Sequence, residues 1–242
     1  MTDEDIPATA SDELEGFVGK WRARWPEWPL AEVFVQREQR PVALAWAALQ
    51  QELLDAAWGG SDARPGELKL AWWMEELAGW GQGRRRHPLG RVLQREPAPW
   101  PVLAAALPAL ARSRERPLDA DDAFAAVEPA AIAAAQVEHA LFGAGDSDGT
   151  SRLIAASWLA ARARGEGDAA VPLALLGANG DSAAAQNAWR GQLAARWPQM
   201  HRGAPRVRRL WASLARLRLT DSRDTPLPAP RVLWDAWRAA RN

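Results

Sequence analysis

Two carboxylates three residues apart, Glu52 and Asp55, fall on one face of a predicted helix and could hold a single Mg²⁺ there. The competing reading is an ordinary surface pair near Arg37 or Arg40, favoured because lone carboxylate pairs are usually solvated. A second acidic group, Asp119, Asp121 and Asp122, follows Arg112, Arg114 and Arg116. It reads as a metal contact or as the cap of the helix that starts there, and capping at a positive helix end is favoured. Among His87, His139 and His201, no two stand at metal-ligand spacing, and His87, just before Pro88, reads as a turn or cap residue. Ser147, Ser151 and Ser157 have no nucleophile-elbow context, and residues 177–180 lack the lysine and spacing of a phosphate loop. Arg84, Arg85 and Arg86 form a basic run that can steer diphosphate or touch an anionic membrane, although short runs are usually just solvated. With no cysteine, disulfides and thiolate metal sites are excluded.

The elements that must position these residues are predicted to be helical throughout. Alanine and leucine dominate, tyrosine is absent and phenylalanine is scarce, so β-propensity is poor. Residues 1–11 are expected to form a disordered tail and residues 12–242 one all-α domain of roughly nine to eleven helices. Asp12 is expected to cap the first helix. A firm helix spans 41–58, and others cover 65–80, 102–111 with Pro108 inside, a run to Phe142 interrupted near Pro129, 151–164, 171–176 and 182–197. Residues 206–219 read as amphipathic, with Val207, Leu210, Trp211, Leu214 and Leu217 inward and the arginines outward; a last helix, 231–240, carries Leu233, Trp234 and Trp237. The 30 basic and 30 acidic residues balance, which argues against a general nucleic-acid binder. Fifteen tryptophans are an excess that suits either core packing or an indole-lined cavity for an apolar ligand or partner helix. An acidic start and the lack of an apolar run of about 18–20 residues predict a cytoplasmic protein with no transmembrane segment.

The chain is organised around residues 65–93. Leu70, Trp73, Met74, Leu77 and Trp80 recur at helical spacing, while Leu68, Trp72, Glu75 and Glu76 mark a second face, so this helix is expected between neighbours. Gly66, Glu67, Leu68, Lys69, Leu70, Trp72, Trp73, Glu75, Leu77, His87 and Pro88 follow the order GE-[IL]-[RK]-L-x-WW-x-[DE]-x-L, a glycine-containing turn, then HP. In this the chain resembles the squalene/phytoene synthase family, its bacterial members especially. Upstream, residues 48–54 match that family's AFNxELA at Ala48, Glu52 and Leu53.

The resemblance implies an all-helical isoprenoid-synthase-like bundle around a central cavity. Active members join two prenyl diphosphates head to head, using Mg²⁺ held by two aspartate-rich motifs on facing helices. Carried onto this sequence, an active protein would bind metal through Glu52, Asp55, Asp119 and Asp122 and diphosphate through Arg40 and Lys69. Leu49, Trp72, Trp73 and Glu76 would line the cavity. The second motif, N-x-x-R-D-x-x-x-D, is expected near 174–181, where only Asn179 and Asp181 are polar and Arg190 stands well downstream. The leading reading is therefore a diverged relative without most of the Mg²⁺–diphosphate apparatus, binding an isoprenoid, another apolar ligand or a protein partner. The family includes such a branch, a mitochondrial complex I assembly factor with eroded motifs. The alternatives are a working prenyl transferase and a helical scaffold without ligand; peripheral membrane contact is open in each.

Overall fold

Alanine-rich, proline-punctuated sequence gives helices that start at defined residues and pack closely. The computed structural model describes residues 8–143, 147–178, 181–221 and 227–241. Among these there is no strand, and the helices in chain order are α1 (Ala8–Arg24), α2 (Trp28–Glu32), α3 (Arg40–Trp58), α4 (Arg64–Trp80), α5 (Gly90–Leu93), α6 (Trp100–Arg112), α7 (Ala120–Phe142), α8 (Ser147–Gly165), α9 (Leu173–Ala178), α10 (Ser182–Ala195), α11 (Arg206–Thr220) and α12 (Ala229–Arg241). Pro41, Pro65 and Pro101 sit in the first turns of α3, α4 and α6, where a missing N–H does no harm. Asp119 caps α7 by accepting from the Asp122 N–H at 2.9 Å, and Asp181 caps α10 by accepting from the Ala184 N–H at 2.7 Å. α1 begins at Ala8, so Asp12 lies within it and does not cap it.

The expected break at Pro129 does not occur, and α7 runs unbroken past it. Pro129 removes one backbone donor, but it and Ala125, whose carbonyl would have accepted, are both exposed. Water can take that carbonyl, and the remaining turns hold the helix. The buried face of α7 includes Ala130, Ala131, Ala133, Ala134 and Ala135, small enough for α6 and α8 to approach closely on either side. α4 packs on α3 and α6, and α11 on α8 and α12. Gly66 permits the first of these contacts, since a Cβ there would stand 2.1 Å from the Ala56 carbonyl oxygen of α3.

Most of the tryptophans fill this core. Trp21 sits with Trp25, Trp28 and Trp211 at ring separations of 6.4, 5.2 and 5.8 Å. A second group runs from Trp46 through Trp100 and Trp80 to Trp73, again mostly edge to face. None of the described helices is long and apolar enough to cross a membrane.

Candidate functional site

The place where a prenyl synthase would do chemistry is the bundle centre, between α3 and the helices facing it. Gln50, at the asparagine position of the AFNxELA pattern, points into this centre and is buried. It meets Glu138 of α7, Trp158 of α8 and Arg208 of α11, so four helices converge on one polar knot. The Glu138 carboxylate accepts from the Trp46 indole N–H at 2.8 Å and from the Arg208 Nε at 3.0 Å, with a second, shorter bond from an Arg208 terminal nitrogen. The Gln50 carbonyl accepts from the Trp158 indole at 3.0 Å and from Arg208 at 3.1 Å. The Arg208 guanidinium also lies 4.7 Å from the Trp211 ring. Side chains of Glu138 and Arg208 are 1% and 0% exposed. A buried ion pair persists only when its hydrogen bonds are made, and here nearly all are; one Arg208 terminal nitrogen lacks a partner.

The expectation that the arginines of the 206–219 helix face outward holds for Arg206 and Arg216, which are exposed, and fails for two others. Arg208 and Arg209 are buried because α11 is covered by α8 and α12, among others, leaving it little solvent face. Of the residues expected to line a cavity, Leu49 and Trp73 are fully buried, with no accessible surface. Trp72 is half-buried, under the Arg86 guanidinium at 5.2 Å. Glu76 is buried beneath the 84–88 turn and organises it: its Oε1 accepts from the Trp80 indole at 2.8 Å and from the backbone N–H groups of Arg86 and His87 at 2.7 and 2.8 Å. Burial alone would raise its pKa, but the His87 and Arg86 N–H groups and the Trp80 and Arg86 side chains reverse this and hold it below the usual carboxylate range.

The proposed metal carboxylates do not converge. Glu52 pairs with Lys69 at 2.6 Å, and Asp55 with Arg24 at 3.0 Å. Asp119 and Asp122 cap α7 reciprocally, Asp122 Oδ2 accepting from the Leu118 N–H at 2.8 Å. Among the described residues no group of three or more His, Asp or Glu could hold a metal ion. The residues present do not fit a Mg²⁺ pair. Nor do the basic residues await a diphosphate: Arg40 donates to the carbonyls of Val35 and Val33, Lys69 is held by Glu52, and Arg114 donates to the carbonyls of Ala57, Gly59 and Gly60.

The second motif was expected near residues 174–181. Residues 174–178 belong to α9, tied by backbone bonds to Pro117 and Leu118, while Asn179 and Gly180 lie outside the described residues. Among the helices that meet Gln50, α8 has no aspartate or glutamate from Gly149 to Gly165. Its polar contribution is basic. Buried Arg162 donates to the carbonyls of Ser113 and Arg114 at 2.6 and 2.8 Å and lies over Trp58 at 5.2 Å, and burial pushes its pKa down to about 10. At the end of the bundle a cavity of about 430 Å³ lies between Gln51, Arg24, Ala160, Arg164, Arg218 and Glu27. Its arginines are engaged: Arg218 pairs with Glu27 and stacks on Trp25 at 4.2 Å, and Arg164 donates to the Arg218 carbonyl at 3.0 Å.

No family model matches the sequence, and no curated protein matches it. The fold is similar to that of the crystal structure of squalene synthase HpnC from Alicyclobacillus acidocaldarius, with a TM-score of 0.56, 17% sequence identity, and coverage of 98% of this chain and 97% of that one. The chain therefore has an all-helical, squalene-synthase-like fold.

Proposed function

We propose that this chain is a non-catalytic, squalene-synthase-like protein that works by binding a partner through its surface. The observation that carries this reading is the Gln50–Glu138–Arg208 knot, which fills the centre where a prenyl chain would need room. Ionising a prenyl diphosphate needs cations held against the leaving group, and α8 brings no carboxylate to face α3. An isoprenoid site inside the bundle is disfavoured on the same ground, because Leu49, Trp46 and Trp73 pack against neighbours and expose no surface. Incubating the protein with farnesyl or geranylgeranyl diphosphate and millimolar Mg²⁺ tests this. The expected result is no Mg²⁺-dependent release of diphosphate and no saturable quenching of tryptophan emission. Turnover, or Mg²⁺-dependent quenching at micromolar substrate, would overturn the reading.

A further inference from the structure

Of the fifteen tryptophans, all within the described residues, only Trp234 and Trp237 are exposed, at 59% and 38%. They stand together on α12, ring centroids 5.1 Å apart and nearly parallel, with the Arg241 guanidinium 4.8 Å from the Trp237 ring. Leu233 beside them is 39% exposed. The opposite face of α12, Val232, Ala236 and Ala239, is fully buried. The helix is thus docked by small apolar residues and turns two indoles and a leucine outward, where leaving them in water is unfavourable.

Basic groups flank this ridge. A cleft of about 280 Å³ alongside it is lined by Arg216 of α11 and by Arg231, Arg238 and Asp235 of α12. Arg231 leans on Asp221 at 3.7 Å. Arg216, Arg238 and Arg241 have no carboxylate partner among the described residues, so their charge is available to an incoming anion.

The geometry points to α12 as a docking element for the surface of an anionic lipid bilayer. Charge complementarity selects the occupant: arginines at headgroup height meet phosphates, while indoles, apolar in body and polar at one N–H, settle at the acyl boundary below. A convex ridge suits a deformable lipid surface better than the pocket-and-anchor shape of a protein interface. This inference does not depend on whether the bundle centre carries out chemistry.

The test is flotation of the full chain with phosphatidylcholine vesicles containing about one-third phosphatidylglycerol, against pure phosphatidylcholine. Binding is expected only to the anionic vesicles, falling at least about tenfold for Trp234→Ala/Trp237→Ala and for Arg216→Gln/Arg238→Gln/Arg241→Gln. Arg84→Gln/Arg85→Gln should bind as the unaltered protein does, and bromine-labelled acyl chains should quench its emission. Trp234→Gln alone, at the more exposed position, serves if a multiple variant fails to fold. Failure to bind anionic vesicles, equal binding to neutral ones, unchanged binding in the Trp variants, or loss through the Arg84 and Arg85 substitutions would overturn the assignment. Capture of an acidic protein instead of vesicles would do so as well.

Discussion

His87 is wedged between Phe17 and Trp73, each 4.5 Å away ring to ring, and its Nδ1 accepts from the Leu89 N–H at 3.2 Å. Burial pushes its pKa from 6.5 down to about 4, against the pull of Glu52 and Glu76. The folded state therefore prefers the neutral ring, and the unfolded chain takes up the proton first as pH falls. This contribution is complete above about pH 6.5 and disappears by about pH 4, and solvent reaching the partly exposed ring limits it to about 1–2 kcal/mol. Urea unfolding across that window should show the loss, and His87→Asn, which keeps an acceptor for Leu89, should flatten it. Glu76 works in a lower range, its stabilisation present above the ordinary carboxylate pKa and lost as pH drops further. Glu76→Ala should cost about 2–4 kcal/mol at neutral pH, because two backbone N–H groups and an indole lose their acceptor together. The turn role of His87 was legible from its place before proline. That of Glu76 was not, since nothing in a helical stripe shows that a glutamate will fold under the next loop.

At the scale of elements, α3, α7, α8 and α11 are coupled through single side chains. Glu138→Leu or Arg208→Met alone should lower stability by about 3–5 kcal/mol, each leaving an unpaired buried charge. The double variant should recover much of that, and a thermodynamic cycle from urea midpoints measures the coupling. Pro129→Ala should raise stability by roughly 1–3 kcal/mol, since it restores a backbone donor within α7 without touching the core. α3 and α4 were readable in outline because proline starts, glycine ends and apolar spacing agree there, whereas the steric reason for Gly66 shows only once α3 is packed against it. Continuity of α7 was hidden because a proline's cost depends on whether the released carbonyl meets water. α8 could not be recognised as a helix facing α3, since from Gly149 onward it carries no carboxylate and so leaves no mark of an acid motif. Arg208 was hidden for a simpler reason, as arginine reads as a surface residue until a buried glutamate is found opposite.

For the whole molecule, the all-helical class followed from composition, and the likeness to squalene synthase HpnC bears out the fold that the residues 65–93 suggested. The site did not follow, because the residues expected to gather around Mg²⁺ are distributed among separate surface pairs and caps. Millimolar Mg²⁺, with or without farnesyl diphosphate, should leave the thermal midpoint unchanged, and Glu52→Ala/Asp55→Ala should cost no more than about 1 kcal/mol. A rise of several degrees on adding both would contradict this. The central knot also limits which sequences are reachable from this one. A carboxylate at position 50 would face Glu138 and lose the amide N–H it now offers, while a change at 138 or 208 strands its partner. A change that opens the centre at Glu138 or Arg208 therefore calls for a second, compensating change at its partner, a condition that the exposed faces do not impose.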